Sequence, residues 1–188
     1  FETSTSGSWR SLGEFTGTAG ARPGANPAGG IFLNTDGLLY GTTEFGGTGG
    51  FGVIFKATTA ITPVFTVMRL CTDPTGSKPA GALVRGSDGQ LYGTTANGGT
   101  NGFGTAYKIT TAGVFTQLTH FTGETGASPG ASMRGGLTVS GSLFYGVTSA
   151  GGAGNLGAAF QVSSIGTYTS LGGLSPDTGW MPSGAPAA

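Results

Sequence analysis

The chain carries few side chains that could perform acid–base or metal chemistry. Its 188 residues include eight acidic residues, eight basic residues and a single histidine, His120. A histidine-based catalytic triad with a spare imidazole, or a multi-histidine metal site, cannot be built within one such chain. We interpret His120 as a solvated residue at a strand edge. We therefore expect a protein that is not an enzyme, with no catalytic residue, no cofactor and no bound metal.

The carboxylates recur at two kinds of position, and neither kind predicts a metal centre. Asp36 and Asp88 precede glycine in predicted hairpin turns, where a carboxylate caps the local backbone. Asp73, Glu124 and Asp177 stand in loops that end in Thr-Gly. Carboxylate oxygens bind Ca²⁺, but one carboxylate per loop is too few for a coordination cage. A calcium contact in these loops is therefore a weak hypothesis.

Aromatic residues near the glycine-rich loops are the best candidates for ligand contacts. Phe51 and Phe103 occupy matching places in two such loops, and Asn101 lies close to the second. An exposed aromatic ring beside an amide is suited to stacking on a sugar with hydrogen bonds nearby. Trp180, which replaces a small residue of the other repeats, is a further candidate. The alternative is structural: each phenylalanine packs over the end of its own sheet.

These residues belong to an internal repeat of about 52 residues. Leu-Tyr-Gly-Thr-Thr occurs at residues 39–43 and 91–95, and a weaker form occurs at 143–148. Tyr40 and Tyr92 are 52 residues apart, and Tyr92 and Tyr145 are 53 apart. Such a fixed period is typical of solenoids, arrays and propellers, which bind or build more often than they catalyse.

We interpret residues 1–188 as one repeat domain in which a proline opens each full unit, at Pro27, Pro79 and Pro129. The predicted units are a half repeat at 1–26, full repeats at 27–78, 79–128 and 129–181, and a partial repeat at 182–188.

The middle repeat predicts four short antiparallel strands and no helix. Residues 82–85 and 91–95 flank Asp88-Gly89, which is a signal for a tight hairpin turn. Residues 105–110 alternate as a half-buried strand does, and 114–120 follow after a turn. Four strands in about 50 residues match one propeller blade. We predict an all-β, β-propeller-like array of four-stranded antiparallel blades, with a β-solenoid as the alternative.

The composition favours an ordered and nearly neutral scaffold. Charged residues are 9% of the chain, compared with about 25% in typical soluble proteins, and the 40 glycines fall at fixed repeat positions. Equal numbers of acidic and basic residues argue against nucleic acid or an anionic membrane as partner. Because no apolar run approaches about 20 residues, we expect no membrane insertion. Cys71, which aligns with apolar residues, is predicted to be a small buried hydrophobe.

The full motif resembles the GloVer tandem repeat. It reads Asp-Gly-x-Leu-Tyr-Gly-Thr-Thr-x-x-Gly-Gly, followed by Gly-x-Gly-x-x-Phe/Tyr-Lys, and the third copy departs from it at Ser140, Val147 and Gln161. That family occurs in bacterial surface or secreted proteins with varied carboxy-terminal sorting anchors. The resemblance implies an extracellular or cell-surface repeat scaffold and supplies no catalytic motif.

The predicted function is that of a non-enzymatic structural or adhesive protein of the cell exterior. The blade split between residues 1–15 and 182–188 lacks positions equivalent to 86–106 of the middle repeat. The chain is thus expected to be a segment of a larger propeller, to close by oligomerising, or to polymerise head to tail through its ends. The alternative function is a carbohydrate-binding propeller with sites at the glycine-rich loops and glycans as partners.

Overall fold

The computed structural model describes residues 2–3, 7, 9–11, 13–27 and 29–174, and over these residues the protein is all-β. It contains three four-stranded antiparallel sheets and one separate strand pair. The strands are β1 (Glu2–Thr3), β2 (Trp9–Arg10), β3 (Phe32–Leu33), β4 (Leu38–Thr43), β5 (Val53–Thr58), β6 (Phe65–Leu70), β7 (Ser77–Arg85), β8 (Leu91–Asn97), β9 (Thr105–Ile109), β10 (Phe115–His120), β11 (Thr138–Ser140), β12 (Leu143–Val147), β13 (Ala158–Ser163) and β14 (Tyr168–Gly173). The prediction of an all-β fold with four-stranded antiparallel units is confirmed.

Each sheet is a meander in which spatial order follows chain order. The three sheets run β3 to β6, β7 to β10 and β11 to β14. We call them sheets 1, 2 and 3. The first strand of sheet 2 is longer than predicted, because β7 pairs with β8 on both sides of an irregularity between Ala80 and Val84. In the part of the chain that the structure describes, no helix is long and apolar enough to cross a membrane.

The glycine of the Leu-Tyr-Gly-Thr phrase makes room for an aromatic ring on the neighbouring strand. Gly93 pairs with Tyr107 across β8 and β9, and a Cβ on Gly93 would lie 2.5 Å from the Tyr107 hydroxyl oxygen. The same pairing recurs in the other two sheets, as Gly41 with Phe55 and Gly146 with Phe160. A side chain at this glycine would displace the ring, so the motif glycine is a packing requirement.

Ser132 is the structural counterpart of Lys78 in the third repeat. Lys78 and Ser132 share a φ of 55°, and the amide of each donates a backbone hydrogen bond to the glycine-rich loop of the preceding repeat. Pro79 follows Lys78, whereas Met133 follows Ser132. Pro129, predicted to open the third repeat, therefore lies in the connecting loop. That loop is longer than its counterpart before sheet 2, which displaces the proline from the repeat start.

The hydrophobic core lies between successive sheets. One cluster joins Tyr40 and Ile54 of sheet 1 to residues of sheet 2 that include Leu91 and Tyr107. The second cluster joins sheets 2 and 3, with Tyr92 among its fully buried members. Each sheet therefore depends on its neighbour to bury its apolar surface, as repeat architectures do.

Candidate functional site

The interface between two successive sheets, which we call a joint, is the feature that the repeat motif specifies. Because side chains alternate along a strand, the motif tyrosine and the residue before it point to opposite faces of the sheet. We call the face that carries Tyr40, Tyr92 or Tyr145 the forward face. The opposite, backward face carries Leu39, Leu91 or Phe144. At each joint the forward face of one sheet packs on the backward face of the next.

The backward face is built from the same six positions in every sheet. These are Phe15, Ile31, Leu39, Phe55, Ala57 and Phe65 for sheet 1, then Cys71, Leu83, Leu91, Tyr107, Ile109 and Phe115 for sheet 2, and Phe121, Leu137, Phe144, Phe160, Val162 and Tyr168 for sheet 3. In each sheet the aromatic residues of the third and fourth strands stack, with ring centroids 4.8, 5.0 and 5.6 Å apart. The result is a flat apolar surface that receives the preceding tyrosine.

The forward tyrosine is the central side chain of each joint. Tyr40 and Tyr92 are fully buried. The ring of Tyr92 stacks on Phe144 of the next sheet with centroids 3.7 Å apart and an interplanar angle of 17°. Offset-stacked pairs of this kind contribute about 0.5–1.5 kcal/mol beyond the area they bury.

A turn aspartate holds the hydroxyl of each buried tyrosine. Tyr92 donates to Asp88 Oδ2 at 2.7 Å, and Tyr40 donates to Asp36 at the same distance. Burial together with the hydrogen bond to Asp36 raises the pKa of Tyr40 to about 12. The Asp-Gly turn thus does more than reverse the chain, because its carboxylate fixes the side chain at the joint.

Asp88 is expected to make stability depend on acid pH. Burial alone raises the pKa of this carboxyl, but hydrogen bonds from Tyr92 and Gln90 outweigh it and leave the pKa below its ordinary value. A lowered pKa stabilises the folded state above the unfolded-state pKa, and the contribution is lost as pH falls through the folded-state pKa. Carboxylates titrate between about pH 6 and pH 3. Urea unfolding over this range should show that the free energy of unfolding falls less steeply with pH for Asp88→Asn than for the wild type. Equal slopes would contradict this role.

Threonine and lysine of the motif donate hydrogen bonds across the joint. Thr42 Oγ1 donates to the carbonyl of Gly81 at 3.2 Å, and Thr94 Oγ1 donates to Gly135 at 3.3 Å. The motif lysines also donate hydrogen bonds to the next sheet, near its outer strands. Their ammonium groups reach backbone carbonyls in the turn between the last two strands of the next sheet, from Lys56 to Thr111 at 2.9 Å and from Lys108 to Ser164 at 3.0 Å.

The departures of the third repeat fall at these same joint positions. Ser140 precedes the turn glycine in place of aspartate, Val147 takes the place of Thr42 and Thr94, and Gln161 takes the place of the two lysines. The equivalent tyrosine, Tyr145, is only half-buried. These three departures are visible in the sequence, but nothing in the sequence alone links them. All three lie on the forward face of the sheet, and this common location is the signal for the joint.

The backward face of sheet 1 contains an open cavity of about 360 Å³. All six backward-face positions of that sheet line the cavity, together with Glu14 and Arg22. Ile31 is 51% exposed there, whereas its counterparts at the two filled joints, Leu83 and Leu137, are 2% and 3% exposed. Among the residues that the structure describes, the cavity is therefore the open counterpart of two filled joints.

The structure separates the residues proposed for sugar binding. Phe103 is 42% exposed, but Phe51 is half-buried against the core between sheets 1 and 2. Asn101 uses its side-chain nitrogen to donate to the carbonyl of Phe121 at 3.0 Å. Of the two phenylalanines, Phe103 has the more exposed ring, and that ring lies close to Gly123. Trp180 lies outside the described residues.

The ionisable residues singled out in the sequence take local structural roles. His120 Nδ1 accepts a hydrogen bond from the Thr100 amide at 3.0 Å. Asp73 accepts one from the Ser77 hydroxyl at 2.7 Å, Glu124 is exposed, and Asp177 lies outside the described residues. Among the residues that the structure describes, no three or more His, Cys, Asp or Glu side chains are grouped so that they could hold a metal ion.

Cys71 is buried, as predicted. Burial raises the pKa of its thiol to about 12. The thiol therefore stays protonated at neutral pH and is a poor nucleophile. Its position on the backward face of sheet 2 makes it a packing residue.

Tyr107→Phe is expected to stabilise the protein by about 1–2 kcal/mol. The Tyr107 side chain is fully buried, its hydroxyl has no hydrogen-bond partner, and Phe55 and Phe160 hold the equivalent positions. Removing an unsatisfied buried hydroxyl removes its desolvation cost. The matched control is Tyr92→Phe, which deletes the hydrogen bond to Asp88 and should destabilise. Urea unfolding measures both variants, and a loss of stability in Tyr107→Phe would contradict the expectation.

A comparison with known families identifies the repeat. A family model described as the Gloeobacter/Verrucomicrobia repeat matches residues 1–160, which confirms the resemblance carried by the motif. No match is found among curated proteins.

Proposed function

Because the chain belongs to the Gloeobacter/Verrucomicrobia repeat family, we propose that it is a non-enzymatic structural or adhesive protein of the bacterial exterior. In this proposal the chain assembles with further copies or repeats through its ends. One observation carries the proposal: two filled joints use the same contacts, and a third backward face of the same composition is open. An apolar face that no described residue covers favours association with another molecule or repeat.

The proposed arrangement of the sheets is that of propeller blades. Successive meanders pack forward face on backward face, and the first strand of sheet 2, β7, contacts the first strands of sheets 1 and 3, β3 and β11. These contacts support a radial array in which the first strands lie innermost. Electron microscopy of the purified protein would show a ring or arc of blades, and an extended rod with no curvature would exclude this arrangement.

Self-assembly is tested by light scattering coupled to size-exclusion chromatography over a wide concentration range. We expect species larger than the 18.4 kDa monomer at higher concentration. Negative-stain images of the same fractions would separate closed oligomers from filaments. A monomer at every concentration would refute assembly of this chain with itself.

A second candidate function, glycan binding, is narrowed to Phe103. Among the described residues its ring is the exposed one of the proposed stacking rings, and it lies close in sequence to the exposed Asn101 and Thr100. If the chain binds sugars there, Phe103→Ala should abolish binding to a glycan array, because a sugar stacks on the face of the aromatic ring. Val114→Ala, which removes another exposed apolar side chain of sheet 2, is the control. Unchanged binding after Phe103→Ala would exclude the site.

A further inference from the structure

We infer that the open cavity of sheet 1 binds a β-hairpin of another repeat of this family, supplied by a separate molecule, with the hairpin's motif tyrosine seated on Leu39 and Phe55. The inference rests on the proposed function and names the partner that the open face accepts. The ligand is defined by its chemistry: two antiparallel strands joined by an Asp-Gly turn, with a tyrosine followed two residues later by threonine.

The cavity lining matches the surface that receives tyrosine at both filled joints. Leu39 stands where Leu91 and Phe144 stand, and Phe55 stands where Tyr107 and Phe160 stand. At those joints the received side chains, Tyr40 and Tyr92, are fully buried. The cavity therefore has the composition and orientation of a tyrosine acceptor with nothing from the described residues seated in it.

The polar acceptor of the joint is also in place. The threonine two residues after each buried tyrosine donates to the carbonyl of Gly81 or Gly135. Gly29 is the equivalent residue of sheet 1, and it lines the cavity. An incoming hairpin with threonine at that position would find the same main-chain partner.

The strand pair β1–β2 corresponds to the outer half of a repeat. β1 pairs with β2 in the register Thr3 with Trp9 and Glu2 with Arg10, which is the register of Ile109 with Phe115 and Lys108 with Thr116 in sheet 2. β1 and β2 thus correspond to the third and fourth strands of a repeat. Among the described residues their sheet has two strands. In sheet 2 the first and second strands are a hairpin, and the second strand of an incoming hairpin of this kind would pair with β1 as β8 pairs with β9.

The occupant that fits is a hairpin and not a whole repeat. β1 and β2 have the register of the outer half of a sheet, and an inner hairpin is what completes such a pair in sheet 2. The forward face of sheet 3, which no other sheet covers among the described residues, carries Val147 and Gln161 in place of the donors used at the filled joints. A second copy docking through that face would lose the threonine hydrogen bond.

The test uses a labelled synthetic peptide of residues 79–97, the inner hairpin of sheet 2, added to dilute full-length protein. Fluorescence anisotropy should show saturable one-to-one binding. The Tyr92→Ala peptide should bind at least about tenfold more weakly, because the central buried aromatic carries most of the energy of such an interface. Absence of binding, or equal binding of the two peptides, would overturn the inference.

Matched protein variants locate the site. Leu39→Arg places a charge in the cavity and should reduce peptide affinity by about tenfold or more, because a desolvated unpaired charge is costly. Ile165→Arg introduces the same charge at a position 86% exposed and outside the cavity, and it should leave affinity unchanged. Circular dichroism melting shows that both variants are folded. Folded Leu39→Arg with wild-type affinity would overturn the inference.

The outcomes separate this inference from self-assembly. A strictly monomeric protein that binds the peptide in a manner dependent on Tyr92 and Leu39 would refute self-assembly and support the hairpin site. An oligomeric protein that ignores the peptide and stays oligomeric after Leu39→Arg would support self-assembly and refute the hairpin site.

Discussion

Gly81→Ala is expected to prevent folding, with a loss of about 4 kcal/mol or more, which places it among the most damaging single substitutions. Gly81 lies in the first strand of sheet 2 with φ at 72°, and a Cβ there would overlap the backbone nitrogen of Gly136 in sheet 3. The Cβ is fixed to the main chain and the atoms that it meets are main-chain atoms, so no side-chain rotation relieves the contact. The first strands of adjacent sheets would have to separate, which would open the joint that Thr94 bridges.

Gly50→Ala is the matched control for this prediction. Gly50 has φ at 79°, and a Cβ there meets nothing within 4 Å. Both substitutions therefore carry the cost of a left-handed residue, about 1–2 kcal/mol, and only Gly81→Ala adds the overlap. Soluble yield, circular dichroism and urea unfolding compare the two variants. Similar losses of stability would show that backbone conformation, and not the close approach of the sheets, governs the effect.

Tyr92→Ala is expected to cost about 3–5 kcal/mol, the range for truncating a large buried aromatic side chain. The substitution removes the ring stacked on Phe144, leaves a cavity between sheets 2 and 3, and removes the hydrogen bond to Asp88. Because the two sheets share one core, the loss should lower the cooperativity of unfolding as well as its midpoint. Thermal unfolding followed by circular dichroism and by calorimetry measures both quantities.

The internal repeat supplies a control for this second prediction. Tyr145 pairs with Gln161 just as Tyr92 pairs with Lys108, but its side chain is only half-buried and lies on the uncovered forward face of sheet 3. Tyr145→Ala should cost about 1 kcal/mol, as a typical substitution does. If both alanine variants lost equal stability, the tyrosine would act within its own sheet and not at the joint.

The local structure of the repeat could be predicted because it follows from short-range signals. Asp88-Gly89 and the alternating residues near Tyr107 define the hairpin and the strands of sheet 2 without reference to other parts of the chain. The fully buried state of Tyr92 could not be predicted in the same way. It depends on which face of sheet 2 meets sheet 3, and strand periodicity gives two faces without stating their neighbours.

Asn101 and Pro129 are two further residues whose long-range contacts cannot be read from nearby sequence. The ligand contact of Asn101 stays a prediction from its type and its neighbours, and the sequence does not reveal that its amide donates to the Phe121 carbonyl twenty residues away. Pro129 was expected to open the third repeat because Pro27 and Pro79 open the others. In the third repeat the connecting loop is longer, and Pro129 lies before the residue that corresponds to Lys78. The positive φ and the backbone hydrogen bond of Ser132 identify that residue.

Thr42, Thr94, Lys56 and Lys108 all donate to main-chain carbonyls, and this has a consequence for how such chains evolve. Every residue type offers a carbonyl, so the receiving repeat can change its side chains at Thr111 or Ser164 without breaking the bond. A duplicated unit can therefore be inserted beside an existing one and be compatible at once, with no matching substitution needed in its neighbour. Arrays joined in this way can gain or lose units during replication while each unit diverges in sequence at its outer surface.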